Sequence, residues 1–180
     1  DLPRTHMWNV SAQQEFLGDW VATVGFAGAR GTHLWRNSDV NVPAPVAQAD
    51  GTLFYAAGLL RPNRNYSAIE LKSSDGDSWY KALIVEVKKR WSNGLQVRSA
   101  YTWSKSEDTT QNSTFFSDST TATTSAMPEF IPDYNKGLSD FHAAHNCITN
   151  LVYEPFRGWR LSGIVRMRSG SPLTPFVQTN

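Results

Sequence analysis

The sequence predicts an all-β protein, an antiparallel up-and-down meander of about six long strands. Three observations predict it. Aromatic and β-branched residues alternate with polar ones in repeated runs. No stretch carries a sustained helical spacing of apolar residues. Connections between the runs go short, long, short, long, short along the chain.

The first hairpin places Trp8, Val10, Ala12, Gln14 and Phe16 on one face, with Asn9, Ser11, Gln13 and Glu15 on the other. After a turn at Leu17-Gly18-Asp19, Trp20, Ala22, Val24, Phe26 and Gly28 share the matching face. The clearest hairpin runs from Tyr80 to Lys105. Leu83, Val85, Val87, Lys89 and Trp91 fall on one face, opposite Ile84, Glu86, Lys88 and Arg90. Asn93-Gly94 supplies the positive φ of a tight turn. A three-residue loop then pairs Trp91 with Leu95, and Val97, Ser99, Tyr101 and Trp103 follow on that face. The third hairpin, His145 to Met167, sets Cys147, Thr149, Leu151 and Tyr153 against Trp159, Leu161, Gly163 and Val165. Its turn is expected at Pro155-Phe156-Arg157-Gly158.

Long connections are expected over residues of about 31–78 and 106–140, far beyond the ~12–15 residues of ordinary loops. The first should hold an extra hairpin from Ser67 to Ser73, turning at Asp75-Gly76. The second holds the low-complexity run TTQNSTFFSDSTTATTSA.

Composition sets further bounds. The chain has 180 residues, 17 Lys+Arg against 16 Asp+Glu and net charge +1, so no global basic field recruits nucleic acid. Mean hydropathy is −0.42, and no apolar run approaches the ~20 residues of a membrane helix. That leaves strands as a way to cross a membrane. A single cysteine, Cys147, excludes an intramolecular disulfide and a cysteine-rich zinc site. The chain starts at Asp1 without an initiator Met and stops at Asn180 without a closing element. It is read as a piece of a longer protein.

Strands of about ten residues with one apolar and one polar face fit a transmembrane β-barrel wall, with short periplasmic turns and long extracellular loops. The aromatics agree. Phe16, Trp20, Trp91, Tyr153 and Trp159 sit beside the short turns, and Trp8, Tyr101 and Trp103 lie toward the opposite strand ends. These are two candidate membrane-interface belts. Lys89, near one interface, can snorkel. Glu86, Lys88, Arg90, Arg98, Arg160, Arg166 and Arg168 are then lumen-facing candidates, together with Glu15. They form a cationic wall for a plug or an anionic solute, or simply a hydrated interior. Lys88 opposite Arg98 costs energy unless water or an acid intervenes. Six strands are too few to close, since bacterial barrels have about eight or more. The chain is therefore expected to be an arc of a larger barrel. A soluble antiparallel sandwich also gives alternating strands.

The same hairpins carry a resemblance. GFAGARGTHL (Gly25 to Leu34), WYKALIVEVKKRWSNGLQVRSAYTWSKSED (Trp79 to Asp108), GLSDFHAAHN (Gly137 to Asn146) and GWRLSGIVRMRSGSPLTPF (Gly158 to Phe176) occur in order. Together they resemble the barrel region of TonB-dependent receptors of the Oar-like group. The resemblance implies an outer-membrane protein of a Gram-negative bacterium that imports a scarce ligand such as a metal chelate, vitamin or glycan. It implies as partners outer-membrane lipid, the remaining barrel strands, a plug, an unknown ligand, and the TonB system acting through segments not seen here. No plug domain is visible in residues 1–180, which read as partial barrel throughout.

Chemical constellations are weak. His142 and His145 are three apart, so in a strand they point to opposite faces and no metal site is expected. Asp75-Gly76-Asp77-Ser78 resembles an acidic calcium loop, with Asp133 and Asp140 as further carboxylates, but lacks the full ligand pattern and reads as a turn. Ser104 or Ser106 with His142 and Asp140 lacks a nucleophile elbow. Gly25 to Gly28 lies in a strand without a following helix, so it is no phosphate cradle. Asn9, Asn65 and Asn112 match glycosylation sequons by chance. No enzyme, catalytic residue, metal or cofactor is expected. The rival to a transport barrel is a secreted soluble β-module that binds glycans through exposed Trp8, Trp20 and Trp103.

Overall fold

The computed structural model describes residues 1–172 except 55, 57, 68 and 110–135. Six long strands carry the fold: β1 (Arg4–Phe16), β2 (Trp20–Asp39), β5 (Glu70–Ser92), β6 (Leu95–Asp108), β8 (His145–Phe156) and β9 (Trp159–Arg168). Three two-residue strands join them: β3 (Val46–Ala47), β4 (Leu53–Phe54) and β7 (Gly137–Leu138). The sheet order is β1-β2-β5-β6-β8-β9, with β7 added to β6. Each long strand lies beside the next in sequence, as a meander requires. The chain is thus all-β, an antiparallel up-and-down meander. Every residue of β1 and of β9 is exposed, since these strands form the two edges of the described sheet.

The short turns differ in detail. At the first, Leu17 (φ 51°) and Gly18 (φ 72°) are left-handed, and the Asp19 amide donates to the Leu17 carbonyl at 2.8 Å. The second is tighter than the sequence reading. β5 runs to Ser92 and β6 begins at Leu95, leaving only Asn93 (φ 48°) and Gly94 (φ 70°) in the turn. Two successive left-handed residues are the signature of a two-residue hairpin loop. Ser92, rather than Trp91, is therefore the last strand residue before the turn. Gly94 is required twice over. Its φ suits glycine, and a Cβ there would lie 2.6 Å from the Glu154 carbonyl oxygen. The third turn narrows to Arg157-Gly158, and an irregularity between Tyr153 and Phe156 absorbs the extra residue.

The strands are longer than predicted. A membrane crossing takes about 9–11 residues, whereas β2 has 20 and β5 has 23. The loop bounds of about 31–78 are therefore corrected: β2 continues to Asp39 and β5 starts at Glu70. No hairpin turns at Asp75-Gly76, because both lie inside β5. Beyond the hydrocarbon a strand needs no apolar face, so polar runs such as RNSD and KSSDGDS extend it without alternating. β6 likewise continues to Asp108. Most of the low-complexity run, and Asp133, lie outside the described residues.

Two compact units can be distinguished. One comprises residues 1–4, 31–77 and 108–137. Its centre is Asn41, 1% exposed, whose amide nitrogen donates to the carbonyls of Asn63 (2.9 Å) and Tyr66 (2.8 Å). Its Oδ1 accepts the Asn63 amide at 2.8 Å. Asp39 Oδ1 accepts the amides of Asn41 (2.9 Å) and Ile69 (3.0 Å), and Arg61 reaches Asp39 Oδ2 at 3.3 Å. These side chains take the place of a hydrophobic core. The other unit comprises residues 5–30, 78–107 and 138–180. Its fully buried apolar side chains, among the described residues, are only Val21 and Ala82. Large apolar groups such as Val10, Phe26, Leu151, Leu161 and Val165 stay exposed. A wall that presents its apolar face to lipid has no need to bury it.

Candidate functional site in the barrel wall

Pairing across β6, β8 and β9 sorts side chains into rows. One face carries Tyr101–Cys147–Met167, Ser99–Thr149–Val165, Val97–Leu151–Gly163 and Leu95–Tyr153–Leu161. The other carries Thr102–Asn146–Arg168, Ala100–Ile148–Arg166, Arg98–Asn150–Ile164 and Gln96–Val152–Ser162. The first face is apolar apart from Ser99 and Thr149, whose hydroxyls lie 2.8 Å apart and satisfy one another. A mutual hydrogen bond removes most of the cost of placing hydroxyls against lipid. The second face holds three arginines.

On the charged face, half of the expected cations find acids. Arg98 Nη2 donates to Glu86 Oε2 at 2.9 Å, which supplies the acid that Arg98 needs beside Lys88. Arg90 makes a two-point contact with Glu15 at 3.1 and 2.9 Å. Arg160 pairs with Glu154 at 2.5 Å. Lys88 and Arg166 have no hydrogen-bond or ion-pair partner among the described residues. Arg168 reaches only the Phe141 carbonyl, at 3.4 Å. The candidates therefore do not converge on one point. Arg166 and Arg168 do come together, in adjacent rows on β9.

The aromatics divide similarly. Phe16 and Trp20 stack, with centroids 6.3 Å apart. Trp8 lies over Gly28, in the space a Cβ would fill. Tyr101 stacks on His145 at 6.1 Å, and its hydroxyl lies 2.7 Å from His145 Nδ1. Trp103 pairs opposite His145 and, with Phe26 and Leu83, lines an apolar groove of about 450 Å³. Tyr153 lies between Leu95 and Leu161, and Trp159 pairs with Phe156. The Arg160 guanidinium stands 5.8 Å from the Trp91 ring centroid.

Lys89 is only 8% exposed and bends toward the turn. Its Nζ donates to the carbonyls of Ser92 (3.0 Å) and Leu95 (3.3 Å) and lies 3.5 Å from Asp19. It also bonds the Ser92 hydroxyl, which in turn donates to Asp19. The Ser92 hydrogen bond, aided by Lys89, holds the Asp19 carboxyl below its ordinary pKa despite desolvation.

Sequence reasoning missed several long-range pairs. Arg36 grips Asp75 at 3.1 and 2.6 Å, and the Ser73 hydroxyl adds 2.6 Å. Burial would raise the Asp75 pKa, but Ser73 and Arg36 outweigh it and lower the value. The supposed calcium carboxylate is thus already engaged. Arg30 lies 4.0 Å over the Trp79 ring. No local spacing could signal these pairs. His142 Nδ1 accepts the Ser106 amide at 3.2 Å, while the Ser104 hydroxyl donates to Ala143, so neither serine hydroxyl meets the histidine. No cluster of three metal-ligating side chains occurs among the described residues.

A family model described as an outer membrane beta barrel domain matches residues 1–180. No curated protein and no solved structure matches the chain. The match spans every strand of the meander and does not favour a secreted soluble glycan-binding module. It places the chain in the outer membrane of a Gram-negative bacterium. With one apolar and one charged face, short turns and long connections, the chain belongs to the outer membrane β-barrel domain family.

Proposed function

We propose that the chain forms barrel wall of a TonB-dependent, Oar-like receptor that takes up a ligand across the outer membrane. It works as a non-enzymatic wall. The reading is supported by the four motif stretches in order, and above all by the charged face of β6, β8 and β9. Arg98, Arg166 and Arg168 project there from rigid strands, with Glu86 compensating only Arg98. A fixed cationic inner wall attracts anionic solutes and repels cations. It also suits docking of a plug with acidic side chains. The proposal requires a plug and a TonB-contacting segment as partners, with outer-membrane lipid on the apolar face and no nucleic acid.

The test is energised uptake by the native bacterium. Cells are offered ferric chelates, vitamins and oligosaccharides, with and without this gene and with and without TonB. One ligand should accumulate only when both are present. Passive entry that persists without TonB would refute the transporter reading.

A further inference from the structure

Phe26, Leu83 and Trp103 line the apolar groove of about 450 Å³. Trp103 lies two residues beyond Tyr101, so the groove belongs to the same face as Cys147 and Met167. It draws on β2, β5 and β6, each of which has a described strand on either side. Its three large apolar side chains are nonetheless 42%, 38% and 57% exposed.

The polarity of the groove is graded along the strands. Lys81 stands two residues before Leu83 on β5, and Lys105 two residues after Trp103 on β6. Alternation keeps each lysine on the face of its apolar neighbour, about 7 Å along the strand. β5 and β6 form a hairpin, so both lysines lie at the end nearer the long connections. Both line the groove. Lys105 meets Glu107 at 2.7 Å. Lys81 is exposed and has no hydrogen-bond or ion-pair partner among the described residues. Cations on neighbouring strands repel unless an anion stands between them. His142, also in the lining, accepts the Ser106 amide at Nδ1. That nitrogen carries no proton, so Nε2 carries one and is a donor.

The groove thus asks for an occupant that is apolar toward the middle of the wall and an anionic acceptor toward its rim. A membrane lipid with a phosphate head has this order, and basic sites at the interface favour such heads. A free phosphate would leave the apolar part bare, and a neutral lipid would leave Lys81 without an anion.

We infer that this groove holds a phosphate-bearing lipid from the leaflet on the side of the long connections. An acyl chain lies along Phe26, Leu83 and Trp103. The phosphate meets Lys81, with Lys105 and His142 Nε2 as further donors. The lysine stems cover the chain while their ammonium groups reach outward. The inference rests on the setting of lipid against the apolar face and is independent of uptake.

The experiment places the full-length protein in phosphatidylcholine vesicles doped with a brominated lipid, which quenches the tryptophans it touches. Brominated phosphatidic acid and brominated phosphatidylcholine serve as probes. The quenching that disappears in Trp103→Phe belongs to Trp103. That indole should select phosphatidic acid over phosphatidylcholine by about tenfold, and Lys81→Gln should cut the preference by about fivefold. Lys81→Arg should retain it. Arg157→Gln, in the short turn at the other strand ends, should leave it unchanged, and circular dichroism of each variant checks folding. Inorganic phosphate in the medium should not displace the lipid. Equal quenching by both lipids, displacement by inorganic phosphate, or a folded Lys81→Gln protein with full preference would overturn the inference alone. Absence of Trp103 quenching by either lipid, the result if another protein surface covers the groove, would overturn both the inference and the setting of lipid on this face.

Discussion

The indole of Trp8 fills the space beside Gly28 that any larger residue would need for its Cβ. Glycine is thus required at this point of β2 for packing rather than for φ. Gly28→Val should drive the indole outward and lower stability by about 1–3 kcal/mol, the usual range for overpacking. In a Trp8→Ala background the same change should be close to neutral. Denaturant unfolding of the protein in lipid, followed by tryptophan emission, measures both.

Ser99 and Thr149 pair their hydroxyls on the lipid face. Ser99→Ala leaves Thr149 without that partner and should cost about 1–3 kcal/mol. Adding Thr149→Val removes the orphan as well, and most of the loss should return. A double variant no more stable than the single one would show that this face is wet.

Glu86 separates the charges of Lys88 and Arg98. Arg98 is largely exposed, so solvent screens the pair. A double-mutant cycle on Glu86→Gln and Arg98→Gln should give only a weak coupling that shrinks with added salt. Strong coupling that salt leaves unchanged would mean that water does not reach this face.

Asp39 and Asn41 organise residues 39–69 and should govern their acid sensitivity. Desolvation raises the Asp39 pKa, but the amides of Ile69 and Asn41 and the Arg61 guanidinium lower it further than desolvation raises it. A lowered folded pKa stabilises at pH above the unfolded value, about 4. That stabilisation is lost as pH falls below it toward the folded pKa. Hydrogen exchange at Asn41 and Ile69 should therefore lose protection below about pH 4, after correction for intrinsic rates. Asp39→Asn should lack this transition. Asn41→Ala should abolish the protection even at neutral pH, because it leaves the Asn63 amide and the carbonyls of Asn63 and Tyr66 without their shared partner.

The hairpins were legible because lipid on one side and water on the other force a period of two. The same-face grouping of Leu151, Tyr153, Leu161 and Val165 follows from that period alone. Phe16 against Trp20 was legible for the same reason. The turn at Asn93-Gly94 was read one residue too long, since polar Ser92 looks like loop although it ends a strand. Outside the hydrocarbon the period vanishes, so the outer halves of β2 and β5 carried no signal. Arg36–Asp75 and the Asn41 hub join residues more than 20 positions apart, and no local pattern encodes them. The placement of the β9 arginines on the polar face was legible from the same period. That Asn146 lies directly opposite Arg168 follows only from the register.

Cys147 sits between Tyr101 and Met167 on the apolar face, and it is the one thiol in the sequence. The protein therefore carries its own depth gauge. Membrane-permeant alkylating reagents should reach this sulfur in intact outer membranes while charged, water-confined ones should not. Detergent extraction should change that selectivity without any residue having been altered. One native atom thus reports which side of the sheet meets hydrocarbon, and how far the wall is immersed.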